Sequence, residues 1–250
     1  KQLDISFDCT ISGSRLSFLT NFHSLEKLKL RGFDLSDGVT YVRGLKVLTS
    51  LHLCHGNYHS SPSNDVDEND LLNLMDLTNL KQVHLEGFNF LTDIGLTPFC
   101  TSSSNVEGLT LKHCQHLCDD CLPSIGRMGH LKSLHLVHTA YDDAPLLSAE
   151  SLQHLNALSS LRTLSLFYVL GDLSDLKVLW DLTSLETLNI ALEDGIDLED
   201  LNYLCHSILP AFVSLRKLRI FSEDCTNYTC HGIVEVEFAK FNFGMSVNLE

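Results

Sequence analysis

Two hexapeptides, Val106-Glu107-Gly108-Leu109-Thr110-Leu111 and Leu131-Lys132-Ser133-Leu134-His135-Leu136, decide how this chain folds. Both read L-x-x-L-x-L, with Val tolerated for Leu, and the pattern continues in both directions. Before them stand Leu25-x-x-Leu28-x-Leu30, Leu48-x-x-Leu51-x-Leu53 and Leu80-x-x-Val83-x-Leu85. After them come Leu161-x-x-Leu164-x-Leu166, Leu185-x-x-Leu188-x-Ile190 and Leu215-x-x-Leu218-x-Ile220. Leu3 with Ile5, and Ile233-x-x-Val236-x-Phe238, read as worn terminal copies. Successive central leucines are 23, 32, 26, 25, 30, 24 and 30 residues apart. One match would mean little, but eight in tandem mark a repeat array.

The alternation carries the physics. In L-x-L both apolar side chains point to one side of a short strand and the x residues to the other. Such a strand cannot bury its apolar side alone, so neighbouring copies stack into a parallel sheet over a continuous core. Residues 28–30, 51–53, 83–85, 109–111, 134–136, 164–166, 188–190 and 218–220 are therefore predicted to be adjacent parallel strands. Between them, Asp70 to Leu77 and Ala149 to Leu158 have helix-spaced apolar residues and should form the backs of their repeats. The expected fold is α/β: a leucine-rich-repeat solenoid, horseshoe-shaped, with a parallel concave β-sheet and a helical or irregular convex side. Residues 1–250 should make one such domain, about eight clear repeats plus the worn terminal ones, within a longer protein. The wide spacings mark insertions, a Ser-, Asn- and Asp-rich acidic loop from Asn57 to Asp70 and a second one over 140–152.

Composition narrows the function. A hydrophobic fraction of 44% is enough for a core, and a charged fraction of 20% is too low for a disordered tail. A formal charge of −15 repels nucleic acid and anionic membranes, so neither is expected as a partner. The longest apolar run, Ile208 to Val213, is far too short for a membrane span. The nine cysteines are scattered, and the first fifty residues hold only Cys9, without the disulfide-clustered cap usual at the start of extracellular arrays. This points to a reducing, cytoplasmic setting. The alternative is extracellular, if an upstream signal peptide was removed. Cys205, Cys225 and Cys230 could imitate half of a cap at the other end, where Asn227-Tyr228-Thr229 is a glycosylation sequon.

Two copies resemble a particular class. Val83-His-Leu85-x-x-Phe88-x-x-Leu91-Thr92-Asp93-x-Gly95-Leu96 is similar to the cysteine-containing leucine-rich repeat, and Leu109-Thr-Leu111-x-x-Cys114-x-x-Leu117-Cys118-Asp119 repeats it with the Cys in place. The class is known from the substrate-recognition arms of ubiquitin-ligase receptors, F-box proteins among them. The resemblance implies a protein-binding scaffold that recognises a substrate within a ubiquitin-ligase-type complex. The class-specific part covers residues 83 to 122. Elsewhere the position three after the second strand leucine is Phe33, Gly56, Phe88, Thr139, Val169, Glu193 or Glu223, with neither Cys nor the Asn ladder of extracellular arrays. Two other readings stay open: a ligand- or effector-sensing repeat domain of an immune receptor, and a structural subunit of a larger complex.

Catalysis and cofactors find little support. Cys118-x-x-Cys121 has zinc-like spacing, with Cys114, His113 or His116 available to complete four ligands. But Cys114 falls on the inward repeat position, Cys118 on the usual Thr position, and Cys121 opens the next helical segment. We therefore expect no metal and a buried thiol at Cys114, behaving as a small hydrophobe. No Ser or Cys stands beside a His and an acid in a catalytic motif, and no Gly-x-Gly-x-x-Gly occurs, so no enzyme and no cofactor are expected.

The x residues around each L-x-L should line the concave face. Of these 24 positions, six are Lys or Arg, namely Lys27, Lys29, Arg31, Lys112, Lys217 and Arg219. Three are His and share one middle column, His52, His84 and His135, while Glu86 is the single acid. Strand positions disfavour Asp and Glu anyway. The functional reading is a protein or peptide partner with acidic and apolar features, steered by the basic residues and anchored on Phe167 and Phe221. With an ordinary pKa near 6.5, the histidine column would gain charge on mild acidification.

Overall fold

The computed structural model describes residues 1–35, 38–55, 68–88, 91–114, 117–138, 147–191 and 198–221, together with the backbone of 233–238 and 245–249. The acidic insertion before Glu68, most of the second insertion, and Cys225, Cys230 and the sequon lie outside the described residues.

Each L-x-L forms a strand. They are β1 (Gln2–Ile11), β2 (Lys27–Phe33), β3 (Ser50–His55), β4 (Gln82–Glu86), β5 (Gly108–Lys112), β6 (Ser133–Val137), β7 (Thr163–Phe167), β8 (Thr187–Ala191) and β9 (Lys217–Phe221). All nine run parallel in one open sheet, in sequence order. The register is leucine on leucine: Leu3, Leu28, Leu51, Val83, Leu109, Leu134, Leu164, Leu188 and Leu218 sit side by side. A slip of one residue would turn every leucine toward solvent, so burial itself sets the register. From β2 onward these residues are buried, and they share one core with the apolar residues of the returning segments.

Backbone hydrogen bonds carry this register beyond the strands. At the strand entries Glu26, Thr49, Lys81, Glu107, Lys132, Arg162 and Glu186 each offer a carbonyl oxygen that accepts two N–H groups from the next repeat. At the exits the chain turns sharply. Gly32, Gly87, His113 and Tyr168 take the left-handed conformation, with φ of 80°, 77°, 52° and 57°. Glycine adopts it freely at the first two, where a side chain would be strained.

The returning segments are mostly short 3-10 turns rather than full α-helices. Examples are Gly13–Asn21, Val39–Tyr41, Glu68–Leu74 and Leu173–Leu179, whereas Asp93–Ser102 is a ten-residue α-helix. Among the described residues, the helical segments of the two shortest repeats, of 23 and 24 residues, are 3-10 turns. A 3-10 turn rises about 2.0 Å per residue against 1.5 Å in an α-helix, so it spans the back with fewer residues. Among the described residues no helix is long and apolar enough to cross a membrane.

One terminal expectation is corrected. Ile233–Phe238, read as a worn parallel copy, forms β10, which pairs antiparallel with β9 and is followed by β11 (Met245–Leu249), antiparallel to β10. Apolar alternation defines a strand's faces but not its direction, because the period of two is the same either way. The other terminal copy conforms: Leu3 and Ile5 align with Leu28 and Leu30 in parallel register.

Leu134 is fully buried in the middle of the array, whereas Ile94 is 67% exposed. Leu134→Ala should cost about 2–5 kcal/mol through lost transfer energy and the residual cavity. Ile94→Ala should change stability by no more than about 0.5 kcal/mol. Urea unfolding monitored by circular dichroism measures both.

Candidate functional site

Because the strands pair residue for residue, the x positions form straight columns on the face of the sheet opposite the core. The middle column reads Asp4, Lys29, His52, His84, Thr110, His135, Ser165, Asn189 and Arg219. The next reads Ser6, Arg31, Cys54, Glu86, Lys112, Val137, Phe167, Ala191 and Phe221. Residues with no sequence proximity are thereby brought into contact.

Glu86 organises the first half. Its side chain is only 3% exposed, and it stands 3.0 Å from Lys112 Nζ, 3.4 Å from Arg31 Nη2 and 3.6 Å from His84 Nε2. Burial alone would raise its pKa. His84, Lys112 and Arg31 outweigh that and hold the carboxyl well below the usual range. The Cys54 thiol, next to Glu86 in the same column, is pushed up to about 11 by burial and by Glu86, so it stays protonated. The basic strip expected from the sequence is thus partly neutralised, since Arg31 and Lys112 face Glu86 and Lys29 stands 3.6 Å from Asp4.

The histidine column behaves differently from its free side chains. His52 and His84 stack with ring centroids 3.8 Å apart and planes 18° from parallel. Burial, with the neighbouring His84, lowers the His52 pKa to about 4. Burial likewise lowers that of His135, whose Nδ1 is 2.7 Å from Ser165 Oγ. Asn189 Nδ2 donates to the same Oγ at 2.9 Å. The expectation that this column charges on mild acidification is corrected for His52 and His135, because burial disfavours the cation. Ser165 and His135 are not a nucleophile and base with an orienting acid: the third partner is an amide, and it binds the serine.

In the second half, Phe167 and Phe221 stand on β7 and β9, two strands apart. Between them lies Ala191, small enough for the rings to meet over it with centroids 4.8 Å apart in an edge-to-face arrangement. The two aromatics are one half-buried patch, with Val137 next to Phe167 on β6. Lys217 and Arg219 flank it on β9, and Lys27 lies exposed at the far end of the sheet on β2.

Among the described residues, the donors around Cys118 do not form a converging group of three. Cys114 and Cys121 are buried and Cys118 is half-buried, while His116 lies outside the described residues. Cys114 is a free thiol in the core, as expected, and burial pushes its pKa up to about 12. Among the described residues, the group of three His, Cys or carboxylate donors that does converge is His52, His84 and Glu86, all within 4.8 Å of one another. The sequence places the two histidines in one column and Glu86, Cys54, Ser165 and Asn189 on the same face, but gives those four no role. Glu86, the lone acid among 24 face positions, was the available signal.

No protein-family model matches the chain. No curated protein matches it either. Among solved structures it is similar to LegL7, a leucine-rich repeat-containing protein from Legionella pneumophila, at 18% identity over 86% of this chain and 74% of that one, with a TM-score of 0.51. It is also similar to internalin C2 from Listeria monocytogenes, at 21% identity over 70% of this chain, with a TM-score of 0.47. That match spans 65% of the internalin chain, just under two thirds of its length. At 18% identity the likeness to LegL7 is one of fold, and the fold is a leucine-rich-repeat solenoid.

Two outcomes follow from the electrostatics. A histidine with a depressed folded pKa takes up more protons when unfolded, so its contribution is complete above about pH 6.5 and declines as pH falls below that value. Stability should therefore drop between pH 7 and 5, and His135→Gln should flatten the drop, as read from urea midpoints across that range. Glu86→Gln should destabilise the fold by about 1–3 kcal/mol at pH 7 by stripping Arg31 and Lys112 of their common counter-charge. That loss should shrink below pH 4, where the unfolded carboxyl is protonated and the native advantage fades.

Proposed function

We propose that this chain is a non-enzymatic recognition scaffold that binds a protein or peptide segment along the strand-lined concave face, most in keeping with substrate recognition in a ubiquitin-ligase-type complex. The carrying observation is the Phe167–Phe221 pair, an edge-to-face aromatic patch held over Ala191 by three in-register strands. Side chains rooted on paired strands lose little entropy on binding, and a partly exposed aromatic patch on a rigid sheet has the character of an interface anchor. Lys217 and Arg219 beside it, with Lys27, Lys29, Arg31 and Lys112 toward the other end and His52, His84 and His135 between, suit a partner that combines acidic and apolar groups. The ligase reading is supported by Phe88 and Cys114, which fill the inward station of the two class-specific repeats as buried core residues. A cytoplasmic location belongs to the same reading, in keeping with the scattered cysteines of the sequence, of which Cys54, Cys100 and Cys114 are unpaired and buried.

A photo-crosslinking residue at position 221 in cells, compared with one at Trp180 on the outer layer, identifies the partner by mass spectrometry. For the captured protein, Phe221→Ala should weaken binding by about 2 kcal/mol, roughly thirtyfold, through faster dissociation. Lys29→Ala should mainly slow association and reduce its salt dependence. Rates measured at two salt concentrations separate the two effects. If crosslinks form equally at Trp180, or neither variant differs from the parent, the concave face is not the binding surface. Accumulation of the captured protein when this chain is removed would support the ligase role, and an unchanged level would count against it.

A further inference from the structure

His52 and His84 pose a problem that protein binding does not solve. The Nε2 atom of each is buried and makes no hydrogen bond within 3.5 Å, that of His84 having the Glu86 carboxylate at 3.6 Å. A buried polar atom left unmatched costs about 1–3 kcal/mol, so two side by side call for a ligand. They lie together because β3 and β4 pair His52 directly with His84, and because residues two apart on a strand share a face, which puts Glu86 beside both.

We propose that His52, His84 and Glu86 form a binding site for a nitrogen-preferring divalent transition metal, zinc being the type, with a coordination position left open on the face of the sheet. Two of the donors are in the protonation state that a metal requires. His52 is neutral because burial keeps it so, and Glu86 is ionised. A metal bound to two imidazoles and a carboxylate at about 2.0–2.2 Å draws its ligands to roughly 3.4 Å from one another. The donors now lie within 4.8 Å, and because a ring nitrogen binds in its own plane the two imidazoles must swing out of their parallel stack to converge on one ion. The carboxylate is shared in a way that leaves one oxygen available. Oε1 holds Lys112 at 3.0 Å, whereas among the described residues Oε2 has Arg31 at 3.4 Å and His84 at 3.6 Å, contacts a metal can replace. Arg31 is about half exposed and can turn into solvent, while Lys112 keeps the carboxylate oriented, as outer partners do in metal sites. The two cations lower the affinity for any dication and weigh most against calcium or magnesium, which depend on carboxylate charge. Imidazole nitrogen favours zinc, nickel or copper. The open position would take water or a donor from a bound partner. The site stands whether or not the concave face binds protein.

The test uses the whole chain, reduced, free of any histidine tag and stripped with a chelator. Zinc chloride is titrated against a chromophoric competitor, and cobalt(II) is added separately to read its visible absorption. One equivalent of zinc should bind, calcium should not compete, and cobalt should give the intense bands of a low-symmetry four-coordinate centre. His84→Ala and His52→Phe, the latter keeping the ring stack, should each weaken zinc by about a hundredfold. Cys118→Ser should leave it unchanged. Circular dichroism confirms that each variant is folded, and His52→Phe serves if His84→Ala is not. The proposal is overturned if no zinc binds, if both histidine variants bind as the parent does, or if the metal is lost with Cys118→Ser instead.

Discussion

Everything in this molecule depends on the fact that a three-residue L-x-L strand cannot keep its own leucines dry. Burial is achieved only when the next repeat sets its leucines alongside, and the residue-by-residue register from Leu3 to Leu218 is the geometric record of that requirement. The shared carbonyls at the strand entries, the left-handed turns at the exits and the economical 3-10 backs all serve the same stacking. None of them would hold a single repeat folded.

Register has a second product. Locking the leucines also locks the x residues, so the face opposite the core becomes a grid whose rows and columns are set by the core. Chemistry is then made by adjacency across strands rather than along the chain. His52 meets His84 across 32 residues of sequence, Arg31 meets Glu86 across 55, and Phe167 meets Phe221 across a single alanine column. The grid divides into a polar half gathered around Glu86 and an aromatic half gathered over Ala191. A relay of Ser165, His135 and Asn189 sits between them.

Electrostatics on this face are set by burial as much as by charge count. Six basic residues among 24 positions suggest a positive surface. One nearly buried carboxylate draws two of them inward, and Asp4, outside the eight clear repeats, engages a third. Burial also keeps His52 and His135 neutral in the range where free histidine would charge. Composition counts charges, but their effect depends on solvent access and on the nearest neighbour.

The sequence alone was enough for the repeat, the strand positions, the parallel order of the first nine strands and the inward thiol at Cys114, because each follows from periodic burial, which is a local property of L-x-x-L-x-L. It was also enough to place His52, His84 and His135 in one column. The antiparallel return of Ile233–Phe238, the pairing of Phe167 with Phe221, the hub at Glu86 and the converging donors of His52, His84 and Glu86 were decided by tertiary structure. The physical reason is range. Periodicity reports which side of a strand a residue faces, but which side chains touch depends on rotamers, on the size of the residue between them and on burial. Those are settled only when neighbouring strands come within about 4.8 Å of each other.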